Sequence, residues 1–97
     1  GKPVTIWRRE SDVYIAREGS PESRIEAGKD PAIATGPGGV YAVWSSGPEV
    51  HARAAGSPRT IVLAGQGAYP QLLAVPNGPV LAAWEDKGRI LIQPVRP

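Results

Sequence analysis

The chain contains no cysteine, which excludes disulfides and thiolate metal sites and leaves the redox compartment open. It contains no methionine either, so a processed, tagged or excised polypeptide is expected, with Gly1 read as a residue left by tag cleavage. Its one histidine, His51, has only Glu49 nearby on the same face of a strand, too few partners for a metal site. Pairing of His51 with a cross-strand neighbour is expected instead. No apolar stretch approaches the ~20 residues that span a bilayer, and no signal-peptide pattern is present. Lys and Arg never run beyond the pair Arg8-Arg9, and the net charge of +2 is spread among interspersed signs. Neither a nucleic acid nor a membrane is therefore an expected partner. No phosphate-binding loop, Gly-x-Gly-x-x-Gly after a strand, Gly-x-Ser-x-Gly or His-Glu-x-x-His occurs, and no cofactor is expected.

Glycine and proline are plentiful, 12 and 11 of 97 residues, and they fall at regular intervals between short apolar runs. That spacing reads as punctuation between strands and leaves no room for a long helix. The chain also repeats itself. PVTIWRRESDVYIAREGSPESRIEAG at residues 3–28 reads on from VYAVWSSGPEVHARAAGSPRTIVLAG at 40–65, and PAIATGPGGVYAVW at 31–44 returns as PQLLAVPNGPVLAAW at 70–84. An offset of 37 residues carries Trp7, Val13, Ala27 and Gly28 onto Trp44, Val50, Ala64 and Gly65. A period of ~40 residues built from short strands and turns implies stacked β units, of which the propeller blade is the commonest.

Ten strands are predicted: Pro3–Arg8, Val13–Arg17, Arg24–Ala27, Pro31–Thr35, Val40–Ser45, Glu49–Ala54, Thr60–Ala64, Pro70–Val75, Val80–Glu85 and Arg89–Pro94. Gly36–Gly39, Pro76-Asn77-Gly78 and Asp86-Lys87-Gly88 supply tight turns, and Gly19-Ser20-Pro21 and Gly56-Ser57-Pro58 recur at one place in the repeat. With the strands of a blade lettered A to D from the axis outward, the order is BCD over 1–28, ABCD over 29–65 and ABC over 66–97. The expected fold is all-β, about two and a half β-propeller blades of four-stranded antiparallel sheets. Two and a half blades cannot close a ring. The chain is thus expected to be the C-terminal part of a larger propeller, or a piece that pairs with other blades in the same protein or in further copies.

The cadence of an apolar strand, Pro31-Ala32-Ile33-Ala34, a turn, Gly39-Val40-Tyr41-Ala42-Val43-Trp44, a loop, Val50-His51-Ala52-Arg53 and a Gly-Ser-Pro turn resembles the sialidase-like propellers built from bacterial neuraminidase repeats. The Asp box of that family is degenerate here: residues 17–24 and 54–60 keep a Gly or Ser but lack its Asp and Trp. The resemblance implies a six-bladed ring, and a secreted or periplasmic location is expected. Tyr69-Pro70-Gln71-Leu72, then Asn77-Gly78, then Trp84-Glu85 is similar to the family's closing segment. By that resemblance Tyr69 stands where the catalytic tyrosine stands, and Glu85 where an acid orients an arginine of the carboxylate-binding triad. The remaining machinery would have to come from outside this chain.

Among polar residues, Lys29 and Asp30 enter strand A, while Arg8, Arg9 and Asp86 lie at the B–C loops, all on the face where propellers bind ligands. These residues are candidates for holding a glycan. Glu85 and Asp86 alternate in direction along a strand, which argues against a paired acid and base. Trp7, Trp44 and Trp84 share one repeat position and are expected to fill the gaps between sheets rather than form a sugar platform. Three functional classes follow: a non-catalytic glycan- or protein-binding scaffold, the C-terminal part of an exo-sialidase-type hydrolase, and a purely structural fragment that self-assembles.

Overall fold

A computed structural model describes residues 4–17, 19, 21–54 and 57–96. Gly1, Pro3 and the Ser20 and Gly56 of the two Gly-Ser-Pro turns lie outside the described residues. Among the described residues, every regular element is a strand. The first sheet contains β1 (Val4–Arg9), β2 (Asp12–Arg17) and β3 (Ser23–Ala27). The second contains β4 (Lys29–Gly36), β5 (Gly39–Ser46), β6 (Glu49–Arg53) and β7 (Ile61–Ala64). The third contains β8 (Ala68–Ala74), β9 (Val80–Asp86) and β10 (Arg89–Val95). Within each sheet the strands stand in chain order and pair antiparallel, so hairpins alone build it. The array is open: the sheets do not close on one another.

β4 and β8 begin two residues earlier than the apolar pattern predicts, at Lys29 and Ala68 rather than Pro31 and Pro70. Each proline lacks the N–H that a ladder needs, so the pairing slips there, between Lys29 and Ala32 and between Ala68 and Gln71. The slip puts Asp30 (φ 52°) and Tyr69 (φ 53°) in the left-handed region, where a side chain costs about 1–2 kcal/mol per residue. Asp tolerates such a backbone better than Tyr does.

Two interfaces join the sheets. In the first, Trp44 and Ala42 of the second sheet meet Val13 of the first, with Ile6, Ile25 and Ile33 around them. In the second, Val80, Ala82 and Trp84 of the third sheet meet Tyr41, Val43, Val50 and Ala52 of the second. The inner strand β4 touches both β1 and β8. Trp44 and Trp84 fill inter-sheet gaps as expected, at 0% and 5% exposure. Trp7 does not: it is only half-buried, because it lies on the face of the first sheet that no other sheet covers.

Each linker between sheets is drawn in by one amide. Gly28 N–H donates to the Ser11 carbonyl in the turn of the preceding sheet, and Gly67 N–H to the Pro48 carbonyl, each at 2.9 Å. A Cβ on Gly28 would sit 2.7 Å from Trp44 Cδ1, and one on Gly67 would sit 2.5 Å from Trp84 Cδ1. The structural counterpart of Gly28 is therefore Gly67. Gly65, its match by sequence offset, has nothing within 4 Å of such an atom.

Candidate functional site

The turns between β1 and β2, β5 and β6, and β9 and β10 gather with the inter-sheet linkers at one end of the array. Strand alternation decides which side chains reach which gap. Ile6 packs toward the second sheet, so Arg8, two residues on, shares its face. Lys29 opens β4 opposite Ser45. Together Arg8, Ser11, Lys29, Ser46 and Gly47 line a cleft of about 350 Å³ between the first and second sheets. Arg8 Nε donates to the Glu10 carbonyl, which anchors the guanidinium and leaves its terminal N–H groups for other partners. No carboxylate lines this cleft, so it concentrates positive charge among hydroxyls.

Tyr69 and Glu85 come together in a second pocket. Ala68 pairs with Glu85 across β8 and β9, and the two candidate residues line about 260 Å³ with Gln71, Ala83, Trp84 and Ile90. Neither lysine nor arginine lines it. The remaining candidates are dispersed. Arg9 stands on the opposite face of β1 from Arg8, held by a bidentate pair with Glu22 at 2.7 and 2.8 Å. That carboxylate, in turn, is held below its ordinary range by hydrogen bonding from Arg9. Asp30 is exposed in its bulge, and Asp86 ends β9 opposite Arg89. The expected ligand-binding set is thus split: only Arg8 and Lys29 share one of the two clefts described here.

A polar cluster that spans the first interface went unread in the sequence. Glu26 Oε2 on β3 accepts from Trp44 Nε1 at 2.9 Å and lies 2.6 Å from His51 Nδ1. The other ring nitrogen, Nε2, lies 2.8 Å from Glu49. His51 does meet its cross-strand neighbour Trp44, edge-on with centroids 6.2 Å apart, but its ion pairs run along its own strand and into the preceding sheet. Burial pushes the His51 pKa down, yet the hydrogen bonds of Glu49 and Glu26 outweigh it and hold the value above its ordinary 6.5. Burial pushes Glu26 up, and hydrogen bonds from Trp44, His51 and Ser46 more than reverse that. An imidazolium donates from both nitrogens, which matches a ring between two carboxylates. The cluster is a clasp between sheets. Among the described residues, no group of three or more His, Asp or Glu is arranged to hold a metal ion.

No family model matches the chain, and neither a curated protein nor a solved structure matches it.

Proposed function

We propose that the chain is a run of sialidase-like propeller blades, acting as a non-catalytic scaffold that binds an acidic glycan in the cleft of Arg8 and Lys29. The propeller part of this reading draws support from the three antiparallel sheets of three, four and three strands, stacked with β4 touching both neighbours. Other blades, in the same protein or in further copies, would complete the ring. The cleft itself carries the binding part. It offers two cations and the hydroxyls of Ser11 and Ser46 at the turn end, with no acid in its lining. A sugar supplies hydroxyls for the serines, and its carboxylate or sulfate suits the fork of Arg8. Calorimetric titration with acidic and neutral oligosaccharides tests this. Acidic sugars should bind, and Arg8→Ala and Lys29→Ala should each weaken binding about tenfold or more without shifting the melting temperature. Absence of binding to the wild-type chain would leave the purely structural reading.

The hydrolase reading rests on a separate observation, the shared pocket of Tyr69 and Glu85. A phenol with a pKa of ~10 needs a carboxylate to take its proton before it can attack. The pocket supplies the pair but no cation for a substrate carboxylate. Turnover of a fluorogenic sialoside, abolished by Tyr69→Phe, would establish this reading, and its absence in the assembled protein would remove it.

A further inference from the structure

Each interface joins two unlike faces: one carries a tryptophan, and the other receives it on β-branched and aromatic side chains. One face of each kind is left uncovered. On the first sheet, Trp7 stacks on Tyr14 with centroids 5.9 Å apart, and the Arg9 guanidinium lies 4.6 Å from the Tyr14 centroid. The pair Trp7 and Tyr14 occupies the cross-strand position of Trp44 with His51 and of Trp84 with Leu91. On the third sheet, Leu73, Ile90 and Ile92 are 63–66% exposed. By register, Leu81, Ala83 and Ile90 stand where the second sheet has Tyr41, Val43 and Val50, three of the residues packed in the cluster around Trp84.

We infer that the bare face of the third sheet receives the Trp7 face of a second copy of this chain, head to tail. Charge fixes the pairing. At the observed first interface, Arg8 and Ser46 face each other across the cleft. The equivalent positions at the junction between copies are Glu85 on the receiving face and Arg9 on the tryptophan face. Opposite charges therefore meet at the rim, where Glu85 competes with Glu22, the carboxylate that holds Arg9 within its own copy, and Arg9 brings the Tyr69–Glu85 pocket the cation it lacks. Two tryptophan faces brought together would leave Glu85 without that cation. Two copies joined through both pairs of faces assemble six sheets and leave neither face bare. The inference follows from the repeat register and stands whether or not the Arg8 and Lys29 cleft binds a glycan.

Native mass spectrometry and sedimentation test it. The wild-type chain should have twice its 10.2 kDa mass. Trp7→Lys and Ile90→Lys should each yield monomers. An equimolar mixture of the two should regain a dimer, because one intact head then meets one intact tail; a self-complementary contact would not be rescued so. Arg9→Glu and Glu85→Arg should each raise the dissociation constant about tenfold or more, and the double variant should recover. Both charged positions are solvent-exposed, so these variants test the pairing even if a tryptophan variant misfolds. A monomeric wild-type chain, single variants that stay dimeric, or a mixture that stays monomeric would overturn the inference.

Discussion

The two sheet interfaces solve one packing problem with different chemistry. Both seat a tryptophan from the same repeat position against the preceding sheet. In the first, Trp44 donates to Glu26, which also holds His51, and Glu49 closes the other side of the ring. In the second, Leu63 takes the place of Glu26 and Leu91 that of His51, so these positions are apolar. Among the described residues, Trp84 Nε1 is left buried without a partner, as is Ser45 Oγ on the face turned to the third sheet. A buried donor without a partner costs about 1–3 kcal/mol, so the apolar interface gives back part of what its leucines gain. The polar one satisfies its indole and ties its strength to pH.

Exchanging the tryptophans gives the largest expected effects. Trp44→Ala and Trp84→Ala should each cost about 3–5 kcal/mol in denaturant unfolding, through lost burial and the cavity left behind. The phenylalanine variants separate the interfaces. Trp44→Phe removes one of the hydrogen bonds to the Glu26 carboxylate, while Trp84→Phe removes an unsatisfied donor, so the first should cost about 1–3 kcal/mol more. Equal losses would mean that the indole hydrogen bond contributes nothing. Next come the linker glycines. Gly28→Ala and Gly67→Ala press a methyl into the adjacent tryptophans and should each lose about 1–3 kcal/mol. Gly65→Ala, which meets no neighbouring atom, should fall within about 0.5 kcal/mol of wild type.

Converting the first interface toward the second is a finer probe. Glu26→Leu alone leaves Trp44 and His51 without their shared acceptor, and His51→Leu alone removes a partner from two carboxylates. The double variant should lose less than the sum of the singles, with a coupling of about 1–3 kcal/mol in a double-mutant cycle. The smallest effect is the pH dependence. His51 has a raised pKa, so its contribution is complete below its ordinary value of 6.5 and disappears as pH climbs through the raised value. Glu26 has a lowered pKa, so its contribution is complete above 4.5 and is lost as pH falls through the lowered value. The melting temperature should therefore peak between pH 4.5 and 6.5, and the decline on the alkaline side should shrink in His51→Leu. An unchanged alkaline slope in that variant would disprove the clasp.

Much of the architecture was legible because hairpins are local. Turn residues such as Lys87-Gly88, both at positive φ, announce the reversal, and alternation along Val40–Ser45 announces the pleat between turns. The early starts of β4 and β8 were hidden, since Pro31 and Pro70 look like boundaries and act as bulges. The nearness of Tyr69 to Glu85 follows from adjacency across one hairpin, where Ala68 is the partner of Glu85, so their shared pocket was within reach of the sequence. The clasp was not, because Glu26 and His51 are 25 residues apart and meet only once two sheets stack. One signal existed: Glu26 and His51 interrupt positions that are leucine one repeat later, at Leu63 and Leu91. The incomplete burial of Trp7 was equally invisible, since its local sequence matches that of its buried counterparts.

The linker amides order each hairpin ahead of the linker that follows it. Gly67 N–H needs the Pro48 carbonyl, which is presented only after the β5–β6 hairpin has closed, and Gly28 N–H makes the same demand one unit earlier. Each linker should then be fixed only once the hairpin before it has formed. Pulsed hydrogen exchange would record it as protection of the β5–β6 ladder amides before that of Gly67.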